Sequence, residues 1–315
     1  MEVVTFTPDL IPAAAQMFAA SAAAQRQAVP AFSPDWEDPA RTEAALRRLL
    51  EHGSALAALE DGHLAGYLGW FHVNGFRHTA RRAAYCPAWA HVAPAGLYRQ
   101  LYSAASGLWA AAGCDTHAIT LLAQADAARE VWFWQGFGLL VVDGVRPLAP
   151  LAKLPRTRLT IRRATLADAG CLAELDAEHV LYYTRPPIQM PLPQSEDAAA
   201  FEAFLSDPAN SIWLAEDEQG RLAGFMRFDG RDYGGADVAS AEQSLYISGA
   251  YLKPEHRGSG AGAAMLDAGL RHGMALGYAR CGVDFESFNP DAAVFWMKHF
   301  QPVCYSLLRV PETMG

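Results

Sequence analysis

The C-terminal half of the chain alternates between two hydrophobic patterns. Apolar residues at every second position are typical of strands, and apolar residues three and four positions apart are typical of helices. The pattern predicts, in order, strand 159–163, a helix capped by Thr165 and Asp168, a helix from Ser195, strands 212–215, 222–228 and 245–252, helix 260–276, strand 278–285, helix 290–299 and strand 303–310. We therefore expect an α/β fold.

The chain also contains an internal repeat, which is visible in two places. Residues 62–67 (Gly-His-Leu-Ala-Gly-Tyr) match residues 220–225 (Gly-Arg-Leu-Ala-Gly-Phe), and residues 113–132 align with 277–296 without a gap. A repeat at a long, nearly constant offset predicts two copies of one fold. Three prolines between residues 146 and 158 mark a linker. We predict a first domain at 1–150, a linker at 151–157 and a second domain at 158–315.

A glycine-rich segment in the second copy is the most informative motif. It lies between a strand-like run and an Ala- and Leu-rich helix. Glycines let successive backbone N–H groups turn toward one point, and the free N–H groups at a helix start add roughly half a positive charge there. The segment therefore predicts a cradle for an anionic group such as a pyrophosphate. Its residues are Arg257, Gly258, Ser259, Gly260, Ala261 and Gly262.

The spacing of this segment resembles the acetyl-CoA loop of the GNAT acetyltransferase superfamily. Arg257, Gly260 and Gly262 fit the family pattern (Arg or Gln)-x-x-Gly-x-(Gly or Ala). The resemblance implies two tandem GNAT-like domains, each a twisted, mixed, mostly antiparallel sheet flanked by helices, in a form similar in architecture to mycothiol synthase. It also implies acetyl-CoA as the co-substrate, with the backbone of Tyr251 and Leu252 pairing with the pantetheine arm.

A second motif supports the same resemblance. Asn289, Ala292, Phe295 and Trp296 have the spacing of the family's Asn-x-x-Ala-x-x-apolar-Tyr helix, with Trp in place of Tyr. By this resemblance Asn289 and Trp296 contribute to the cofactor site. Trp has no proton to give at neutral pH, so Trp296 packs either against the pantetheine arm or in the core.

The first copy has lost the pattern of the loop. A gap-free alignment places Ala93, Gly96 and Tyr98 under Arg257, Gly260 and Gly262. We expect the Tyr98 side chain to occupy the space that the phosphates need. The first copy is therefore predicted to be a degenerate domain that no longer binds acetyl-CoA.

Transfer of an acetyl group to an amine requires a proton acceptor, because only roughly one alkyl amine in two thousand is neutral at pH 7. Asp284 is the candidate base. It lies between Val283 and Phe285 on an alternating strand, so its side chain points to the opposite face. A solvated carboxylate with no catalytic role is the competing interpretation, and Glu286 and Glu242 are weaker alternatives as the base.

Coenzyme A leaves as a thiolate with an intrinsic pKa near 8.5, so an acid helps but is not required. Tyr246 is the candidate acid, and Tyr251, Tyr305 or water are alternatives. Acceptor specificity in this family comes from the segment between the first two helices, here residues 178–194. Tyr182, Tyr183 and Arg185 are the substrate-binding candidates there, although a surface loop whose arginine pairs with a nearby Glu fits the sequence equally well.

Composition limits the partners. The chain has 315 residues, 51% hydrophobic and 19% charged, with a formal net charge of −9, which disfavours nucleic-acid binding. The N-terminus lacks a signal-peptide pattern, and the five cysteines and ten histidines show no metal-ligand spacing. We expect a cytoplasmic protein with reduced thiols, no metal and no membrane or nucleic-acid partner. The sequence leaves a homodimer open.

Two rival functions belong to other classes. Gly258, Gly260 and Ala263 also fit a loose Gly-x-Gly-x-x-(Gly or Ala) dinucleotide fingerprint, although the preceding hairpin does not suit that fold. The second rival is a noncatalytic acyl-CoA-binding protein, which the Trp at the usual acid position favours. Our prediction is an N-acetyltransferase that acts on a primary amine of a small molecule or peptide by direct transfer.

Overall fold

The structure is a computed structural model that describes residues 1–231 and 234–312. Contacts divide the chain into two compact units. Unit 1 contains Met1–Gly144, Ala236–Ala241 and the chain from Phe285 onward, and unit 2 contains Val145–Gly235 and Glu242–Asp284. Unit 1 is therefore not contiguous in sequence. The division of the sequence at 1–150 and 158–315 stays a prediction about the repeat, and it does not coincide with the two units.

Unit 1 contains the elements of the first copy together with the last helix and strand of the chain. Its sheet has the strand order β1-β2-β3-β4-β6-β13-β7, with β5 paired to β3. The pair β4–β6 is parallel, whereas β1–β2, β2–β3, β3–β4 and β6–β13 are antiparallel. The elements are β1 (Glu2–Thr5), α1 (Ile11–Ala28), α2 (Pro39–His52), β2 (Ser54–Glu60), β3 (His63–Asn74), β4 (Arg82–Cys86), β5 (His91–Val92), α3 (Ala95–Ala111), β6 (Thr116–Leu122), α4 (Asp126–Trp134), β7 (Gly138–Pro147), α8 (Pro290–His299) and β13 (Gln301–Arg309).

The position of β13 explains why unit 1 reaches the end of the chain. Ser306 lies opposite Thr120 of β6, and the two hydroxyl groups are 2.9 Å apart. Leu307 joins an aromatic core that includes Trp109 and Trp132, both almost fully buried. The C-terminal strand is thus an interior strand of the unit that contains the N-terminus.

Unit 2 has the strand order β12-β11-β10-β9-β8. The pair β11–β12 is parallel and the other pairs are antiparallel, so this sheet is also mixed. One face is covered by α5 and α6, whose apolar residues pack on Ile212, Leu214 and Phe225. The elements are β8 (Thr160–Arg163), α5 (Ala169–Tyr183), α6 (Ala198–Ser206), β9 (Ser211–Glu216), β10 (Leu222–Asp229), β11 (Ser244–Leu252), α7 (Ala261–Ala275) and β12 (Arg280–Glu286).

The expected fold class is confirmed. The predicted order of strands and helices in the second copy is the observed order, and the Thr165–Asp168 capping box is present at the start of the turn that leads into α5. These elements are recoverable from sequence because capping and hydrophobic periodicity act over a few residues.

Candidate functional site

The glycine-rich segment forms the turn between β11 and α7. After a short 3-10 turn at Pro254–His256, Gly258 and Gly260 adopt left-handed backbone angles, with φ of 74° and 83°. A Cβ on Gly260 would lie 2.9 Å from the Arg156 carbonyl oxygen, whereas a Cβ on Gly258 would have no atom within 4 Å. Gly260 is therefore required by both conformation and close packing, whereas at Gly258 the left-handed angle favours glycine but leaves room for a side chain.

The start of α7 presents backbone N–H groups that the helix itself does not use. The first bond to a carbonyl four residues earlier is from the Ala264 N–H to Gly260, at 3.0 Å. The N–H groups of Ala261, Gly262 and Ala263 precede it, and only the first of these reaches a side chain, the Ser259 hydroxyl at 3.4 Å. Such a helix start, preceded by two left-handed glycines, fits an anionic group.

The arginine of the motif holds the turn in shape. Its Nε donates to the Leu252 carbonyl at 3.1 Å, and its Nη1 donates to the Tyr182 hydroxyl at 3.0 Å. The guanidinium of Arg257 also lies over the Tyr182 ring, 4.3 Å from the centroid. Arg257 therefore connects the end of β11 to the end of α5.

The strand before the turn separates from its parallel neighbour. The register of β11 with β10 shifts so that Ser248 is an extra residue, which is a β-bulge. The register of β11 with β12 ends at Ile247 and Val283, although both strands continue. Tyr251 and Leu252 lie beyond this point, where the edge of β11 that faces away from β10 carries backbone groups suited to pairing with an extended arm.

Asp284 and Tyr246 lie on one face of the unit 2 sheet. Tyr246 is opposite Gly282 in the parallel pair, and Asp284 is two positions further along β12. Side chains of strands alternate, so residues two apart share a face with the residues opposite them. Tyr246 is buried and Asp284 is half-buried. The structure thus brings the two catalytic candidates to the same face, and their roles stay predictions.

Asn289 and Trp296 belong to unit 1. Asn289 caps α8, because its Oδ1 accepts from the Ala292 N–H at 3.3 Å. Trp296 is buried, with its ring 4.7 Å from that of Phe295 and 5.6 Å from that of Phe300. These contacts give both residues a structural role in unit 1, and their contribution to a cofactor site stays a prediction.

The acceptor candidates lie near the turn. The Tyr183 ring is 5.0 Å from that of His179, and Arg185 is exposed. Burial raises the pKa of Tyr251, Glu178 raises it further, and Arg257 and Arg185 oppose the increase. Arg185 is thus within electrostatic reach of the strand end. Sequence reasoning missed the ion pair of Lys253 with Glu178, at 3.0 Å, since nothing in the spacing relates α5 to the turn.

The equivalent turn of unit 1 corrects one expectation. Helix α3 begins at Ala95 after Pro94, so by helix start Pro94 corresponds to Gly260 and Gly96 to Gly262. The gap-free alignment is therefore two residues out at this turn. Tyr98 lies in the first turn of α3 and is buried, with its hydroxyl 2.9 Å from His91 Nδ1 and accepting from the Ala93 backbone N–H. That Tyr98 excludes the phosphates stays a prediction.

Other features of this turn distinguish it from the turn in unit 2. Pro94 has a φ of −52° and carries no N–H group. The His91 Nε2 lies 2.8 Å from the Thr120 carbonyl oxygen of β6, just beyond the last paired residues of β4 and β6, Cys86 and Ile119. The buried His91 imidazole is therefore hydrogen-bonded to β6 just past the point where β4 and β6 stop pairing, and the corresponding strands of unit 2, β11 and β12, stop pairing at the equivalent point. That the first copy does not bind acetyl-CoA stays a prediction.

Within residues 1–231 and 234–312, no group of three His, Cys, Asp or Glu side chains is arranged to bind a metal ion. All five cysteines are free thiols. No helix in the same ranges is long and apolar enough to cross a membrane.

The fold and the turn together define a class of proteins, and comparison with known proteins agrees. The model of the acetyltransferase (GNAT) family matches residues 175–300, so this part of the chain is similar to that family. Acetyl-CoA-dependent N-acetyl transfer is the general activity of that family. Among curated proteins, none matches the chain significantly.

Solved structures extend the similarity over the whole chain. A GCN5-related N-acetyltransferase from Sphaerobacter thermophilus has 15% identity and a TM-score of 0.60, over 99% of this chain and 96% of that chain. A glucosamine N-acetyltransferase region of a fungal multi-domain GH3 β-N-acetylglucosaminidase has 13% identity and a TM-score of 0.50, over 98% and 38%. A tandem GNAT protein of clavulanic acid biosynthesis has 16% identity and a TM-score of 0.48, over 99% of each chain. At these identities the first two share the fold alone.

The dinucleotide fold is disfavoured by the same observations. That fold places its fingerprint in the first of several consecutive parallel βαβ units. In unit 2 the strand preceding the turn pairs antiparallel with β10, which itself pairs antiparallel with β9. The glycines of this chain therefore lie in a different context.

Proposed function

We propose that the chain is an acetyl-CoA-dependent N-acetyltransferase that transfers an acetyl group directly to a primary amine of a small molecule or peptide. One observation supports this most strongly. Gly258 and Gly260 have left-handed backbone angles directly before α7, at the end of a strand that has separated from its parallel neighbour. This arrangement offers amides for a pyrophosphate and a free strand edge for the arm attached to it.

The proposed site uses side chains and backbone of unit 2. The amides from Gly258 to Gly262 hold the phosphates, and the edge of β11 at Tyr251 and Leu252 holds the pantetheine arm. Bound acetyl-CoA supplies an activated thioester. Donors on the splayed strand that point at the thioester oxygen favour the developing negative charge of the tetrahedral transition state.

Proton transfer falls to the residues on the shared face. Asp284 takes the proton of the attacking ammonium group, directly or through a water molecule. The neutral amine then attacks the thioester carbon, and the C–S bond breaks as the C–N bond is completed. The nitrogen gives up its second proton, and the thiolate gains one, with the Tyr246 hydroxyl or a water molecule accepting the first and donating the second. Trp296 cannot replace a hydroxyl here, since its indole N–H does not ionise at neutral pH.

The acceptor is proposed to be recognised by the segment after α5. Tyr183 and Arg185 are the candidates, with the arginine suited to a carboxylate of the acceptor. We propose the cytoplasm as the compartment, because the five free thiols suit a reducing environment. Neither nucleic acid nor a membrane is proposed as a partner, and a homodimer stays open.

A noncatalytic acyl-CoA-binding protein is the second candidate. It is favoured by Trp296, which stands where family members often have a hydroxyl and which is buried among aromatic rings of unit 1. Such a protein would bind acetyl-CoA at the same turn without turning it over.

Release of the coenzyme A thiol from acetyl-CoA, measured with a broad panel of primary amines, tests the proposal. We expect Asp284→Asn to reduce kcat by roughly a hundredfold or more, the usual contribution of a general base, and to leave the affinity for acetyl-CoA unchanged. Glu218→Gln, an exposed carboxylate on the β9–β10 turn, is the matched control. Binding of acetyl-CoA without thiol release for any amine would favour the noncatalytic function.

A further inference from the structure

The end of α5 contacts the strand and the turn of the proposed cofactor site through three separate interactions. The Tyr182 hydroxyl accepts from Arg257, 3.0 Å away, and its ring lies under the guanidinium. The Lys253 ammonium pairs with Glu178 at 3.0 Å. The His179 ring is 5.5 Å from that of Tyr251. Three residues of α5 thus contact three residues of the strand end and the turn, through charge, hydroxyl and ring contacts.

Arg257 is the centre of these interactions. Its Nε bond to the Leu252 carbonyl fixes the guanidinium at the base of the turn, and its bond to Tyr182 fixes the other side. The residue that begins the glycine motif is thus held between β11 and α5. A guanidinium kept in one place by two partners orders the backbone that follows it, because the turn has glycines and no rigid side chain of its own.

Helix α5 also contacts the segment that follows it. Residues 184–197 join α5 to α6, and the far end of this segment, at Glu196, is tied to the middle of α5 and to the sheet. The buried carboxylate of Asp176 accepts from the Glu196 N–H at 2.9 Å and contacts His179 Nδ1 at 3.4 Å. The Glu196 carboxylate in turn accepts from Arg227 of β10 at 2.6 Å. Helix α5 therefore contacts both the turn, through Tyr182, and the far end of residues 184–197, through Asp176.

We propose that Tyr182 is a positioning residue for Arg257, and that through this contact binding of acetyl-CoA at the turn orders residues 184–197. The proposal rests on the proposed function, since it assumes that acetyl-CoA binds there. It moves Tyr182 from the acceptor site, where the sequence suggested it, to the support of the cofactor turn. It also makes α5 the physical link between the cofactor turn and residues 184–197.

The test compares acetyl-CoA affinity with folding stability. Tyr182→Phe keeps the ring and removes the hydroxyl, and Tyr182→Leu removes both. Tyr278→Phe is the control, because Tyr278 is another half-buried tyrosine of unit 2 with an arginine, Arg231, in electrostatic reach. We expect the dissociation constant for acetyl-CoA, measured by calorimetry, to rise several-fold in Tyr182→Phe and tenfold or more in Tyr182→Leu. The melting temperature without ligand should fall no further than in the control.

Two further measurements separate positioning from packing. In a double-mutant cycle, Tyr182→Leu should add little to Arg257→Lys, because each removes the same contact. Hydrogen exchange in residues 184–197 should slow when wild-type protein is saturated with acetyl-CoA, and it should not slow in saturated Tyr182→Leu.

Each contrary outcome has a distinct meaning. Wild-type protein that binds no acetyl-CoA overturns the proposed function and this inference with it. The inference is overturned, and the proposed function is not, if wild-type protein binds acetyl-CoA and Tyr182→Leu binds it equally well. The same holds if Tyr182→Leu loses affinity only in proportion to its loss of melting temperature. Multiplicative effects in the double mutant, or equal protection of residues 184–197 in both proteins, also overturn it.

Discussion

At the scale of single residues, the two copies differ at the turn before their third helix. The second copy has two left-handed glycines there, and the first has Pro94 preceded by a buried histidine. His91 is a neutral imidazole that accepts from the Tyr98 hydroxyl and donates to the Thr120 carbonyl. The hydrogen bonds assign the proton to Nε2, since a carbonyl oxygen can only accept. His91 thus stabilises the core of unit 1 through two buried hydrogen bonds.

This histidine makes unit 1 sensitive to acid. Burial lowers the pKa of His91 from 6.5 to about 4. The folded value lies below the unfolded value, so the contribution is fully present above pH 6.5 and is lost as the pH falls through about 4. The loss amounts to about 3 kcal/mol from this residue. The free energy of unfolding, measured with urea from pH 7 to pH 4, should therefore depend less on pH in His91→Gln than in wild type. His63→Gln, at an exposed position, is the control, and equal pH dependence in His91→Gln and wild type would contradict this account.

At the scale of elements, α8 depends on its cap. The Asn289 side chain accepts from the Ala292 N–H, and Pro290 follows at the first helical position. We expect Asn289→Ala to lower the free energy of unfolding by about 1 kcal/mol, whereas Asn289→Asp retains the cap. Chemical denaturation measures both. An unchanged stability in Asn289→Ala would mean that the cap contributes nothing. Loss of acetyl-CoA binding in a stable Asn289→Asp would support the cofactor role that the sequence motif predicts.

Some of these elements could be predicted from the sequence and others could not. The strand before the turn, the turn itself and α7 follow from local signals, because periodicity, capping and glycine conformations act within a few residues. The alignment of the first copy was two residues out at the turn because α3 starts earlier, relative to the repeat, than a gap-free alignment allows. The contact of Tyr182 with Arg257 joins residues far apart in the chain, and no periodicity encodes such a pair.

At the scale of the whole molecule, strand order is the feature that sequence did not predict. The pattern correctly indicated a final strand, and the structure places it between β6 and β7 in unit 1. Hydrophobic alternation marks a strand as half-buried or buried but does not name its neighbours. The predicted boundary at residue 150 therefore separates the first copy from a strand that its sheet contains.

This arrangement predicts that residues 1–150 alone do not form a stable unit. Such a fragment lacks β13 and thus leaves the facing edges of β6 and β7 without their partner, and it lacks Leu307 in the core. We expect weak near-ultraviolet circular dichroism and no cooperative urea transition, whereas the full chain shows both. A fragment 1–150 that unfolds cooperatively with the stability of the full chain would contradict the importance of this strand.

The central claim is that the turn of unit 2 binds acetyl-CoA and the turn of unit 1 does not. Calorimetric titration of the full chain with acetyl-CoA, with NAD as the control ligand, tests it most directly. Gly258 offers a matched pair of variants, because a Cβ there meets no atom within 4 Å and both Asn and Asp tolerate a left-handed backbone.

We predict one acetyl-CoA site per chain and no binding of NAD. The affinity for acetyl-CoA should be close to wild type in Gly258→Asn. It should be at least about tenfold weaker in Gly258→Asp, about 1.4 kcal/mol, because the added carboxylate repels the phosphates. Two sites per chain would contradict the prediction that unit 1 does not bind acetyl-CoA. No binding of acetyl-CoA, or equal weakening in both variants, would contradict the assignment of the turn.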